Sequence, residues 1–464
     1  MISPTTLSKI ENIIGKKNLF TSQEDRICYA YDATNLFYLP DAVAIPGTAE
    51  EIDAIMQLAN QEKFPVTPRG AGTGMTGGAL AVNGGLVLAL TRLNRILEID
   101  TENLIAIVEP GVITGDLQGK VEKVGLFYPP DPSSLKFSTM GGNVAECAGG
   151  ARAVKYGVTK DYIIGLEVIL PTGGIISTGV RTRKGVVGYD LTKLFVGSEG
   201  TLGIITKIIL KLLPLPEARK TLLAIFDRLD TAMQTVSGII SARIIPAALE
   251  FMDQTAISCV EDYLPPGLPR EAGALLLIEV DGRKEAVESE ANKVFQLCRK
   301  FGAIDIRTAG DESEASLLWQ ARRAVSPALF KLRPHKISED IVVPRSHIAE
   351  MVSRAKAIGT ENDLIVLCFG HAGDGNIHIN IMIDREDRAE VNRAQRAREQ
   401  IFRTAVELGG TLSGEHGIGI TKSPFLGLEL NPLAVETMKK IKTALDPNNI
   451  LNPGKVFPIE PGKS

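Results

Sequence analysis

The spacing of apolar residues changes character near residue 215. Thr48-Ala-Glu-Glu51 has the form of a capping box, and Ile52, Ile55, Met56 and Ala59 recur behind it at helical spacing, which predicts a helix to about Glu62. Short apolar runs then follow closely: Phe64–Thr67, Leu86–Leu90, Leu104–Val108, Ile163–Leu170, Ile175–Ser177 and Gly203–Leu212 read as strands, with a helix over Thr114–Val124 between them. Ile169-Leu-Pro-Thr-Gly-Gly-Ile175 reads as a hairpin, because glycine supplies the positive φ its turn needs. So many short strands with so few helices predict an α+β domain rather than a regular βαβ repeat. After Leu213-Pro-Leu-Pro216 the periods lengthen. Leu222–Phe226, Ala274–Asp281, Leu364–Phe369 and Ile377–Ile383 read as strands, and Asp230–Arg243, Arg283–Phe301, Ile348–Gly359 and Arg385–Leu408 as amphipathic helices. That order fits a second α+β domain over 216–431, a βαβ-type sandwich with one helix-covered face, and its sheet is expected to be antiparallel. The first domain spans 1–215, and the short helix and extended tail of 432–464 pack back on it.

Composition narrows the classes without choosing one. At 464 residues, 44% hydrophobic and 23% charged, the chain can bury two or three ordinary globular cores. A net charge of −4 and a pI near 5.9 give no electrostatic footprint for nucleic acid. No apolar run approaches the ~18 residues of a membrane span, and the N-terminus lacks the basic-then-apolar pattern of a signal peptide. The five cysteines (28, 147, 259, 298, 368) are scattered, odd in number and form no CxxC. A reducing, cytoplasmic setting is expected, with any membrane association made through a partner, and no iron–sulfur site within the chain itself.

The glycines are unevenly placed: 27 of the 45 precede residue 216. Arg69-Gly-Ala-Gly-Thr-Gly-Met-Thr-Gly-Gly78 lies between two strand candidates, where clustered glycines let backbone N–H groups approach an anion such as a pyrophosphate. It lacks the Gly-Lys-Ser/Thr of a Walker loop and the helix and acidic residue of a dinucleotide fingerprint, so alone it also reads as a flexible turn. Three further segments keep it company: the stiff turn Pro129-Pro-Asp-Pro-Ser-Ser134, the second Gly-rich loop Ser138–Arg152, and the third, Val196-Gly-Ser-Glu-Gly-Thr-Leu-Gly-Ile204. Their order and sequence over about 35–215 resemble the flavin domain of the vanillyl-alcohol oxidase / p-cresol methylhydroxylase superfamily. The resemblance implies FAD, with the pyrophosphate on Arg69, Gly70, Ala71, Gly72, Thr73, Gly74, Met75 and Thr76. It places the ring passage at Pro129, Ser138, Thr139, Gly142, Asn143, Gly149 and Gly150, and further contacts at Gly200, Ile204 and Asn452. Relatives with covalent flavin often carry histidine at the place of Thr73, and this chain has none before His335, so non-covalent FAD is expected. Cys147 stands where close relatives usually show Asn.

Three of the five histidines sit in two other Gly-rich turns, Phe369-Gly-His-Ala-Gly-Asp-Gly-Asn-Ile-His-Ile-Asn380 and Ser413-Gly-Glu-His-Gly-Ile-Gly419. If Ile377–Ile383 is a strand, His378 and Asn380 share one face, and His371 ends the strand before the turn. Two imidazoles with Glu415 describe a divalent site with open positions, Zn²⁺ being the usual occupant and Fe or Mn alternatives. Without that ion they are loop histidines satisfied by backbone groups. The same residues resemble the C-terminal domain of FAD-linked D-2-hydroxyacid dehydrogenases over about 216–457. That resemblance implies metal ligands His371, His378 and Glu415, substrate contact by Asn380, and His416 as base. Trp319-Gln-Ala-Arg-Arg-Ala-Val-Ser326 resembles the family's carboxylate-gripping segment, with Arg322 in the gripping place, a task suited to a planar guanidinium. Some relatives carry a substrate lysine where Ser338 aligns here; Lys336, two residues earlier and on the same face if the segment is a strand, is a weak substrate candidate in its place. The expected activity is oxidation of D-lactate or glycolate. The expected electron acceptor is a separate iron–sulfur subunit, electron-transfer flavoprotein, cytochrome or quinone. Direct use of O₂, or a non-catalytic FAD relay or scaffold, are the alternatives.

Overall fold

Thr48 caps the first long helix, Ala49–Glu62, accepting from Glu51 N–H at 3.2 Å, while the Glu51 carboxylate accepts from Gly47 N–H at 2.6 Å, one residue before the expected partner. Its face of Ile52, Ile55, Met56 and Ala59 is buried against Val66, Leu86 and Leu88, as the spacing predicts. The computed structural model describes residues 1–457. In it the chain forms two units: Met1–Ala148, Val158–Leu215 and the chain from Glu415 onward make the first, and Gly149–Gly157 with Pro216–Gly414 the second. The chain thus returns to the first unit at Glu415 rather than at 432. Gly149–Gly157 joins the second unit because Lys155 Nζ (2.5 Å) and Tyr156 Oη (2.8 Å) donate to buried Asp281. Of the expected returning tail, residues 458–464 lie outside the described residues.

The first unit holds two main sheets. Leu19–Phe20, Ala42–Ala44, Leu86–Ala89 and Val66–Arg69 lie side by side in that order, the last three parallel. A five-stranded antiparallel sheet orders Ile96–Asp100, Ile105–Val108, Ile204–Lys211, Ile163–Ile169 and Ile175–Gly179. The tail returns beside Val66, whose N–H donates to Ile450 O and whose carbonyl accepts from Asn452 N–H, both at 2.8 Å.

The second unit is built on a seven-stranded sheet: β1 (Ala218–Phe226), β2 (Ala248–Asp253), β3 (Ala274–Gly282), β4 (Asp305–Thr308), β5 (His335–Val342), β6 (Ile365–His371) and β7 (Asn376–Ile383). The spatial order is β4-β1-β3-β2-β6-β7-β5, antiparallel throughout. Helices cover both faces, not the one face expected. Every residue of β2 and β7 is buried, so neither strand has a solvent side. Helices Gln254–Tyr263, Glu312–Arg323 and Val325–Ala328, with strands β2, β4 and β5, are among the elements the spacing did not predict. The first of these packs Ala256, Ile257 and Val260 into the same core as Met252, Leu277 and Phe369. Among the described residues no helix is long and apolar enough to cross a membrane, and all five cysteines are free.

Candidate active site

The turn between β6 and β7 closes through Gly375, at φ +93°, whose N–H donates to His371 O at 3.1 Å; a Cβ there would stand 2.0 Å from Val343 O. Only glycine fits, and the tight turn fixes the register. His371 pairs with Asn376, Phe369 with His378 and Leu367 with Asn380, while across β2 Glu250 pairs with His371. Paired residues share a face, so Glu250, His371, Phe369, His378 and Asn380 project to one side of the sheet.

That side is buried and polar at this end. His371 Nδ1 lies 2.7 Å from Glu250 Oε1, and its Nε2 faces His378 Nε2 at 3.3 Å, the rings nearly perpendicular at 84°. Ser413 and Gly414 are anchored on Asp340, with Gly414 N–H donating to its carbonyl at 2.8 Å and its carboxylate at 3.0 Å. Glu415 follows Gly414 directly, and ligand atoms of His371, His378 and Glu415 lie within 4.8 Å of one another. The donor set fits a divalent ion: two imidazoles and a carboxylate, with one ring oriented from behind by a carboxylate, the arrangement that fixes a ligand's tautomer.

Arg322 enters from helix Glu312–Arg323. Its Nη2 is 2.6 Å from Glu250 Oε2, and its guanidinium carbon lies 4.9 Å from the Phe369 ring centre. Burial pushes the Glu250 carboxyl up, but His371 and Arg322 together outweigh burial and hold it below the usual carboxylate range. Arg322 Nε and Asn380 Oδ1 are buried without a hydrogen-bond partner. Such atoms cost on the order of 1–3 kcal/mol each, and one donor and one acceptor left open on this face fit a small polar ligand. Lys336 is placed apart. It pairs with Met382, two residues along from Asn380; its Nζ donates to Ser326 Oγ at 2.6 Å, and burial lowers its pKa to about 8.

In the first unit the Gly-rich loops converge. Arg69 is buried, its guanidinium donating to Ala79 O (3.3 Å) and Tyr31 O (2.8 Å), so it braces the flanks of its own loop. A Cβ on Gly70 would stand 2.3 Å from Thr139 Oγ1, which places the first loop directly against the second. Thr139 caps helix Met140–Glu146 toward Gly142, and Ser138 O and the Asn143 amide both bond Thr114 Oγ1. A cleft of about 510 Å³ opens beside Ala71 and Thr139, a size usual for small-molecule sites. Gly74 has no neighbour nearer its missing Cβ than 4.0 Å. Half-buried glycine backbone beside open room fits the diphosphate of a dinucleotide. Gly200 turns at φ +66°; Ile204 is buried in the core with Val66; and Asn452 is buried, its amide donating to Gly78 O and Glu199 O at 2.9 Å. Pro129 is buried beside Tyr128, while Gly149 and Gly150 belong to the second unit.

Comparison with solved structures shows the p-cresol methylhydroxylase fold: that enzyme, with substrate bound, superposes with a TM-score of 0.83 at 20% identity, covering 98% of this chain and 96% of that one. Residues 40–179 match the family described as FAD binding domain, and residues 215–456 match FAD linked oxidases, C-terminal domain. The chain belongs to the FAD-linked oxidase family and is an FAD-dependent oxidoreductase. It is 50% identical over 458 residues to glycolate oxidase subunit GlcD of Bacillus subtilis (strain 168), covering 98% of this chain and 97% of that protein. It is 37% identical over 465 residues to D-lactate dehydrogenase of Anaerostipes hadrus, covering 98% of each.

Two residues of evident importance escaped the sequence. Glu250 is a carboxylate inside the otherwise apolar run Ala248-Leu-Glu-Phe-Met252, an anomaly that could have marked it. Glu199 sits within the third Gly-rich loop and accepts from Ile418 N–H (2.8 Å) and Gly419 N–H (2.7 Å), which no local spacing announces.

Proposed function

We propose that this chain oxidises a small D-2-hydroxy acid to the 2-oxo acid, with D-lactate or glycolate the favoured substrates. The observation that carries the reading is the His371–His378–Glu415 cluster, backed by Glu250 and flanked by the open polar atoms of Arg322 and Asn380. The names of the two relatives, a glycolate oxidase subunit and a D-lactate dehydrogenase, support the substrate class.

His371, His378 and Glu415 would hold a divalent ion, Zn²⁺ by donor type, which would acidify a hydroxyl placed on it. Arg322 offers the charge and planar geometry that a carboxylate needs, and Asn380 offers an acceptor to the hydroxyl end. His416 takes the hydroxyl proton, the role an imidazole fills near neutral pH. FAD, bound without a covalent link along the loops from Arg69 to Ile204, supplies the acceptor for the hydride leaving Cα. Lys336 stands in reserve as a minor substrate contact through its tie to Ser326. Electrons then pass to a separate protein, an iron–sulfur subunit or electron-transfer flavoprotein, in keeping with the relative named as a subunit.

Anaerobic mixing of the FAD-loaded protein with D-lactate, glycolate and a longer D-2-hydroxy acid tests the reading. Bleaching of the visible flavin band by one of them is expected, with loss of bleaching but not of bound flavin after chelation. A flavin that no 2-hydroxy acid reduces, or full reduction in metal-free protein, would overturn the substrate or the metal assignment respectively.

A further inference from the structure

We propose that Glu199 is a positioning residue for His416, holding the base's turn rigid against the flavin loops. The proposal rests on His416 being the base.

His416 stands at the start of a turn whose backbone is intrinsically soft. Gly417 and Gly419 adopt φ +82° and +51°, and glycine loses more freedom than any other residue when it is fixed. What fixes it lies within the first unit. The buried Glu199 carboxylate accepts both Ile418 N–H (2.8 Å) and Gly419 N–H (2.7 Å). Thr76 Oγ1 donates to His416 O at 3.1 Å, and Thr76 O accepts from Ile420 N–H at 2.8 Å and Thr421 N–H at 3.3 Å. The fit leaves no slack. A Cβ on Gly419 would stand 2.1 Å from Thr76 O, and one on Gly417 would stand 2.4 Å from Glu146 Oε2 and 3.0 Å from Glu199 Oε1.

Glu199 is itself immobilised. Its carbonyl accepts the Asn452 amide at 2.9 Å, the same amide that donates to Gly78 O, and Asn452 Oδ1 accepts from Lys455 Nζ at 3.1 Å. The third Gly-rich loop, the first Gly-rich loop and the returning tail therefore form one hydrogen-bonded frame, and the His416 turn hangs from it by a carboxylate and a threonine. Asn452, expected as a cofactor contact, spends its side chain on this frame. A base must lie within hydrogen-bond reach of the proton it takes, and misplacement by about 1 Å can cost on the order of 10²-fold in rate. Burial pushes the Glu199 carboxyl up, with the two amides opposing it, and each of its oxygens accepts one of two successive N–H groups, a two-point hold on that geometry.

The test is anaerobic flavin reduction in the FAD-loaded protein, using whichever of D-lactate and glycolate bleaches it. Glu199→Gln keeps the shape but replaces one acceptor by a donor. Its limiting reduction rate should fall about 10- to 100-fold, with half-saturation by substrate and flavin content unchanged. Glu199→Asp, which keeps the carboxyl group on a shorter arm, should fall less. Because Glu199 acts through His416, the double variant Glu199→Gln/His416→Ala should be no slower than His416→Ala alone, a non-additivity that a general loss of folding would not produce. A slow His416→Ala with both Glu199 variants at the wild-type rate overturns the positioning role alone. So does a double variant slowed by the product of the two single effects. A His416→Ala at the wild-type rate removes the base, and this proposal with it.

Discussion

The two units make their sites from different material. In the first, the working surface is backbone: Gly70 brings a loop close to Thr139, Gly72 to the Arg69 guanidinium and Gly74 to open space, and side chains such as Arg69, Glu199 and Asn452 hold carbonyls and amides in place. In the second, the working surface is side chains projecting from one face of a sheet, brought together by register across β2, β6 and β7. A backbone site tolerates changes of side chain but not of conformation. A side-chain site depends on each partner's identity, because a buried group that loses its partner keeps its desolvation cost.

The largest expected effect tests the side-chain half. Glu250→Gln leaves His371 without a charged partner behind it and Arg322 as a buried, unmatched cation. Metal affinity, measured by competition with a chelator, should weaken by roughly 10- to 100-fold, and stability should fall by up to about 3–5 kcal/mol. Wild-type affinity in this variant would mean that His371 is oriented without its cross-sheet partner, and the contrast between the units would lose its basis.

A smaller effect belongs to the frame of the first unit. Lys455 is buried, with Nζ donating to Leu80 O at 2.5 Å and Asn452 Oδ1 at 3.1 Å, and burial lowers its pKa from 10.5 to about 8. A base whose folded pKa is depressed binds its proton more readily unfolded, so it destabilises the fold below pH 8. That cost is relieved as pH rises from about 8 to 10.5, by about 3 kcal/mol at most. Denaturant unfolding of wild type and Lys455→Met across this window should show the wild type gaining relative to the variant. Parallel pH profiles for the two proteins would place the titration elsewhere.

The same contrast decides what could be read from the sequence. Clustered glycines are local, so the flavin loops stood out, and so did the strand pairs whose apolar alternation was intact. The His371–His378 turn was legible for the same reason: Gly375 and the seven-residue spacing are contained in one stretch. Glu250 was not, because its meaning is set by register with a strand more than a hundred residues away, and no spacing encodes that. β2 itself was missed for a related reason. Buried on both faces, it shows a continuous apolar run with two acids in it instead of an alternation. Arg322 was found by resemblance as a grip for substrate, yet the structure engages it first with Glu250.

The smallest effect tests whether the first unit's side chains are as dispensable as its backbone is not. Cys147 ends helix Met140–Glu146 in the left-handed region at φ +56°, and a Cβ on Gly197 would touch its Cβ at 3.4 Å, so the second and third Gly-rich loops meet there. An ordinary L-residue in that conformation costs about 1–2 kcal/mol, which Asn largely escapes through local hydrogen bonding of its short amide. If backbone shape is what this position supplies, Cys147→Asn should stabilise the protein by about 1 kcal/mol with flavin content unchanged, read from the unfolding midpoint and the bound-FAD ratio. A loss of flavin in that variant would show that the thiol, not the turn, is what the loop needs, and would make this one point of the first unit behave like the second.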